Sequence, residues 1–155
     1  MLSTSAHRYL VLILPVAFVT SACVTLNQAD RPEFAQRAAP RAGQAEIELL
    51  AGLSGTLAIE DDCLGVEVDR GAERFFVTLV WPWNARLESN EGRWQVRNVQ
   101  TGEVIRVGEA IEGSGGFSGD FDPAGLRSYN RMLTRDLSER CAKSIFSLNR
   151  EFGRG

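Results

Sequence analysis

The sequence has very little histidine and lysine. Of its 155 residues one is histidine, His7, and one is lysine, Lys143. Histidine-dependent catalytic triads, Cys–His dyads and histidine zinc sites therefore cannot be built from the residues that follow position 7. Acidic residues outnumber basic ones by 20 to 17, which gives a net charge of −3. Nucleic-acid binders are typically basic because phosphate contacts supply much of their affinity, so this net charge disfavours that class.

The sequence also lacks an apolar run long enough to span a membrane as a helix. Its one such run near the N-terminus, residues 9–20, has 12 residues. As a helix it would cover about 18 Å, whereas the hydrocarbon core is about 30 Å thick. Arg8 precedes the run and the small residues Ser21 and Ala22 follow it, which is typical of a secretory signal peptide. We therefore predict a signal peptide over residues 1–22.

Cys23 is the first of only three cysteines, and it comes directly after that run. The stretch Val19-Thr20-Ser21-Ala22-Cys23 resembles the lipobox of bacterial lipoproteins, in which the cysteine is acylated and becomes the mature N-terminus. The resemblance implies lipidation of Cys23 and attachment to a membrane of the cell envelope. Val24 implies the outer membrane, facing the periplasm, where the organism has one. Ordinary signal-peptide cleavage after Ala22 is the alternative.

Cys63 and Cys141 are the two remaining cysteines. In an exported protein such a pair is typical of a disulfide, and we predict a Cys63–Cys141 bond. Closing a loop of that length contributes at most about 4 to 4.5 kcal/mol in the chain-entropy model. Two buried free thiols are the alternative, and metal binding by two isolated cysteines without histidine is less favoured.

The pattern of the remaining chain predicts one domain on a tether. Residues 23–46 contain Pro32 and Pro40 and show little periodicity, so we expect a flexible tether there and a domain over residues 47–155. Apolar and polar residues alternate around Leu57 and around Val66, and residues 74–81 are apolar on both faces. Further strands are expected at residues 93–99, 103–107 and 143–152.

A glycine-rich segment, residues 108–119, is expected to be a loop, and it lacks the lysine of a phosphate-binding loop. Asp122 followed by Pro123 predicts the start of a helix that runs to about Arg135. These elements indicate a mainly β fold: a small closed or half-closed antiparallel barrel, OB-like, of five to six strands with one late α-helix.

Several short motifs occur through this region: Gly55-Thr56-Leu57-Ala58-Ile59, Cys63-Leu64, Val80-Trp81-Pro82, Val107-Gly108, Ile111 and Gly115-Gly116. Together they resemble a class of small uncharacterised bacterial envelope lipoproteins. The resemblance implies the fold and the compartment, and it carries over no activity.

Three tryptophans are the main candidates for ligand binding. Trp81, Trp83 and Trp94 could form an aromatic surface for envelope sugars, since indole rings stack on sugar faces. Core packing is the alternative, above all for Trp81 and Trp94, which lie in predicted strands.

Charged residues give weaker candidates. The acidic residues Asp61, Asp62, Asp120 and Asp122 lack EF-hand spacing for calcium. Arg127, Arg131 and Arg135 would form a basic stripe on the predicted helix, where a solvated face or contact with anionic lipid are both open.

The sequence thus predicts a lipid-anchored envelope domain that binds a protein partner or a glycan. No catalytic residue, metal site or cofactor is predicted. The alternative is a small peptidoglycan hydrolase that uses two carboxylates.

Overall fold

The computed structural model describes residues 31–46, 48–119 and 121–155. The predicted signal peptide, Cys23 and residues 24–30 of the predicted tether lie outside these residues, as does Asp120. Within the described part of the chain, no helix combines the length and the apolar character needed to cross a membrane.

Strands dominate the described chain, and a single short helix comes late in it. The strands are β1 (Gln36–Arg37), β2 (Ala51–Glu60), β3 (Cys63–Arg70), β4 (Glu73–Val80), β5 (Ala85–Asn90), β6 (Arg93–Asn98), β7 (Val104–Arg106), β8 (Ala110–Ser118), β9 (Leu133–Arg135) and β10 (Ile145–Gly153). The helix α1 spans Pro123–Asn130.

Five of these strands close into a small barrel in the order β10-β4-β3-β2-β8. The neighbours pair antiparallel except β4 and β10, which are parallel. A parallel pair needs a long crossover connection, and residues 81–144 supply it. The structure confirms the predicted mainly β fold with a small OB-like barrel and one late helix.

The alternation of side chains along each strand decides which residues fill the barrel interior. Leu57, Leu64, Val66 and Val77 point inward and are fully buried, whereas the residues between them face the other side of the sheet. A three-stranded sheet, β5-β6-β7, is inserted between β4 and β8. Its buried residues Ala85, Val96 and Ile105 join the same core, so this sheet packs against the barrel.

The glycine-rich segment expected to be a loop is strand β8, paired with β2 on one side and β10 on the other. Its glycines allow close packing. A Cβ atom at Gly115 would stand only 2.1 Å from the carbonyl oxygen of Ser147 on β10. The expectation of a loop was wrong, because these glycines allow two strands to approach each other closely and do not mark a turn.

Residues 33–37, which the sequence placed in the tether, are part of the fold. The Glu33 amide donates to the Asp62 carbonyl (2.6 Å), and the Glu33 carbonyl accepts from the Leu64 amide (3.2 Å). The Ala35 carbonyl accepts from the Trp81 amide (2.9 Å). The segment thus bridges the start of β3 and the end of β4, beyond the point where these two strands pair.

The helix begins where the sequence predicts and ends earlier. Asp122 is its N-cap and accepts a hydrogen bond from the Gly125 amide (2.6 Å), with Pro123 in the first turn. It stops at Asn130 because residues 133–135 pair as β9 with β1 instead. Leu126 and Leu137 pack with Val80 and Ile145 in a second buried cluster outside the barrel.

The disulfide predicted from the cysteine pair is present. Cys63 at the start of β3 is bonded to Cys141, with 5.6 Å between the Cα atoms. Both cysteines belong to the second buried cluster. The bond therefore fixes the long connection between β8 and β10 to the barrel wall.

Candidate functional site

The three tryptophans do not form a shared exposed surface. Trp81 has no exposed area and packs between Phe34 and Phe152, with ring centroids 5.6 and 5.4 Å away. It therefore cannot stack on a sugar. The prediction that Trp81 belongs to a glycan site was wrong, because Trp81 is a core residue. Trp83 and Trp94 are half-buried. The indole nitrogen of Trp83 is buried and finds no hydrogen-bond partner among the described residues.

The surface that OB-like barrels commonly use for ligands is narrow in this protein. That surface is the face of the second and third barrel strands, beside the loops that follow the first and fourth barrel strands. The two strands are β3 and β4 here, and the two loops are the turn at Asp61 and the connection from β8 to β10. This surface holds a cavity of only about 130 Å³, lined in part by Phe76 and Lys143. The disulfide and an ion pair between Arg140 and Asp62 (3.2 Å) tie the two loops together beside it.

A wider groove of about 660 Å³ lies where β2, β8 and β10 run side by side. Leu53 and Phe152 lie at its base, and the glycines Gly52, Gly113 and Gly153 leave its walls without side chains. Thr101 and Glu103, from the turn between β6 and β7, form one side. We call it the acidic groove, and it is open to solvent.

Three glutamates line the acidic groove: Glu103, Glu112 and Glu151. None of them forms an ion pair with a described residue. The nearby arginines are held elsewhere, since Arg154 pairs with Glu109 (3.3 Å) and Arg150 with Glu46 (2.9 Å). The Glu103 carboxylate accepts a hydrogen bond from the Arg154 amide (2.8 Å). The groove therefore combines an apolar base with an excess of negative charge, which suits a cationic group on an apolar stem.

A bulge in β10 places Glu151 at the groove. Leu148 lies opposite Gly115 and Phe152 opposite Gly113, so residues 149–151 face Ser114 alone. A bulge leaves ladder groups without strand partners. The side-chain amides of Asn84 and Asn98 both donate to the Arg150 carbonyl, each at 3.2 Å, and Asn98 also donates to the Phe152 carbonyl (3.3 Å). The inserted sheet thereby fixes the bulge.

Sequence reasoning missed the acidic groove. Its rim residues come from a turn, a strand taken for a loop, and a bulge, and no spacing connects them. The alternation Ala110-Ile111-Glu112 was a signal for β8, but the glycines after it obscured the strand.

Among the residues that the structure describes, two carboxyl groups have shifted pKa values, and both lie outside the groove. The Arg97 guanidinium donates to Glu88 (2.9 Å) and lowers the pKa of that carboxyl. The backbone N–H of Arg106 is the main cause that lowers the pKa of Glu109, with the Arg106 side chain and Arg154 adding to it. These arginines keep both groups ionised, whereas a glycosidase acid needs a raised pKa.

The other charged candidates lie on different elements of the fold. Asp62 pairs with Arg140 and Asp122 caps the helix, and among the described residues no acidic or cysteine cluster is arranged to hold a metal ion. Arg127 lies on α1, Arg131 is its C-cap and Arg135 lies in β9. The prediction that these arginines form one stripe on a helix was therefore wrong, because the helix ends before Arg131.

Comparisons of the chain with protein-family models, with curated proteins and with solved structures gave no match.

Proposed function

We propose that this protein is a lipid-anchored domain of a bacterial cell envelope that binds a basic segment of a protein partner in the acidic groove. The observation that carries the binding role is the groove itself, which is lined by Leu53 and Phe152 and by three glutamates that form no ion pair with a described residue. A lysine or arginine side chain of a partner would place its methylene stem on the apolar base and its charge beside the carboxylates. The burial of Trp81 favours this partner over a glycan.

The disulfide supports the exported location, because such bonds persist mainly in oxidising compartments. The anchor rests on the lipobox resemblance at Cys23. Cys23→Ser should move the protein from the membrane fraction to the soluble fraction and abolish incorporation of labelled palmitate. Unchanged membrane partitioning of this variant would count against acylation.

The binding role can be tested with a short fluorescent peptide that alternates lysine and leucine, with a glutamate–leucine peptide as the charge control. We expect the purified protein to bind only the first. Replacing all three groove glutamates by glutamine should weaken binding at least about tenfold, since rim charges act through attraction and on-rate.

The matched control for that variant is Glu73→Gln, Glu91→Gln and Glu139→Gln, which removes the same charge at exposed sites outside the groove. If the control weakens binding as much as the groove variant, the peptide senses only net charge and the site is wrongly assigned. Selective loss in the groove variant supports the proposal.

Hydrolysis of peptidoglycan is the second candidate, and it is favoured by the same carboxylates, since glycosidases use a pair of them. The two candidates separate in one assay. A hydrolase would release reducing ends from purified peptidoglycan and lose this activity in the glutamine variant, whereas the binding role predicts no release.

A further inference from the structure

The chain enters the fold close to the predicted anchor. Glu33 is held by hydrogen bonds to Asp62 and Leu64, ten positions after Cys23. Ten residues span at most about 34 Å when fully extended, and about 17 Å as the r.m.s. length of a flexible chain. The surface around Glu33 must therefore stay near whatever holds Cys23.

The residues around this point come from α1 and β9. Gln36 pairs with Arg135, Arg37 pairs with Leu133, and the Glu33 carboxylate accepts a hydrogen bond from the Ser138 amide. Partial burial lowers the pKa of Arg31, and the charge of the nearby Arg135 lowers it further. Arg31 and Arg135 thus lie near the start of the fold, and Arg127 lines a pocket there together with Glu33, Asp136 and Glu139.

Four arginines in this region are exposed and form no ion pair with any described residue: Arg31, Arg127, Arg131 and Arg135. Seven other arginines do form such pairs. Asp136 is the one carboxylate between positions 123 and 138. Met132, next to Arg131, is 60% exposed.

Two guanidinium groups near each other repel unless an anion lies beside them. Arginines next to an anionic membrane are attracted to its headgroups, and an exposed methionine between them can enter the interface. We infer that Arg31, Arg127, Arg131, Met132 and Arg135, which we call the basic corner, lie against the anionic headgroups of the membrane that carries the anchor. This inference rests on the proposed lipid anchor, and it orients the domain on that membrane.

The test uses the mature protein, residues 23–155, with Cys23→Ser, so that no acyl chain contributes to binding. It is sedimented with vesicles of phosphatidylcholine alone or mixed with phosphatidylglycerol, at low and at high salt. We expect binding to the mixed vesicles alone and loss of that binding at high salt. Arg127→Gln, Arg131→Gln and Arg135→Gln together should lower the partition coefficient at least about tenfold.

The control removes the same charge at Arg41, Arg70 and Arg93, which are exposed and also lack ion pairs. Equal loss in both variants, or no binding to the anionic vesicles, overturns the inference. Circular dichroism and an intact disulfide confirm that each variant is folded. Palmitate labelling reports on the anchor separately, so failure of the anchor and failure of the basic corner can be told apart.

Discussion

Phe34 stacks on Trp81, with 5.6 Å between the ring centroids and 20° between the ring planes. The contact joins the N-terminal segment to the end of β4 inside the main core. It makes residues 33–37 part of the domain and leaves only the chain before Glu33 as a connection to Cys23.

Phe34→Ala should therefore destabilise the protein. Removing a buried phenylalanine costs about 3 kcal/mol or more, because the ring loses its contacts and leaves a cavity. Urea denaturation followed by tryptophan fluorescence measures the change. Leu50→Ala is the control, since Leu50 is 93% exposed. Equal stability of the Phe34 variant and the wild type would return residue 34 to the tether.

Gly115→Ala should also destabilise the fold, by about 3 kcal/mol, as in other cases of overpacking. The added Cβ would lie 2.1 Å from the Ser147 carbonyl oxygen, so β8 and β10 would have to separate. Gly119→Ala is the matched control because a Cβ at that position meets nothing within 4 Å. Thermal unfolding of the two variants tests this, and similar melting temperatures would contradict the close packing of β8.

The Cys63–Cys141 bond should be found by mass spectrometry of a digest prepared without reductant, as one linked pair of peptides. Replacing both cysteines by alanine should lower the free energy of unfolding by about 2 to 4 kcal/mol, because the unfolded chain gains conformational entropy when the loop is no longer closed. Reductant should destabilise the wild type and leave the double variant unchanged. A wild type that is insensitive to reductant would argue against the bond.

Glu88 gives a prediction for pH. Because Arg97 lowers the folded pKa of Glu88 below 4.5, its ordinary value, the pair stabilises the fold above that pH, and the stabilisation is lost as the pH falls through the folded pKa. The side chains are 35% and 38% exposed, so solvent screens the pair and the effect on stability is small.

Glu88→Gln should thus be less stable than the wild type at neutral pH, and the difference should shrink towards zero in acid. Urea titrations across this range measure it. Glu91→Gln, in an exposed turn, should show no such convergence. A difference for Glu88→Gln that does not depend on pH would rule out the ion pair as its cause.

Alternation predicted β2 and β3, and an apolar run on both faces predicted β4, because both patterns are local properties of the chain. The same rule failed for β8, where Gly113 and Gly115 take the place of side chains that would meet β10. Their need for glycine comes from β10, which is distant in sequence. Phe34 likewise carried no local signal, since a single aromatic residue between prolines has no period.

The acidic groove could not be predicted for a similar reason. Glu112 and Glu151 are brought together by the pairing of β8 with β10 and by the bulge after Leu148, and Asn84 and Asn98 hold that bulge from the inserted sheet. Each step depends on contacts between residues far apart in the chain.

The sequence alone determined the features that rest on residue type and on neighbours: the shortage of histidine, the paired cysteines, the alternation of the strands and the Asp122 cap. The tertiary structure decided which residues share a surface, because strand order, register and the parallel β4–β10 junction place distant residues side by side. Burial then assigned their roles, so that Trp81 is a core residue while Glu112 and Glu151 of the groove are exposed.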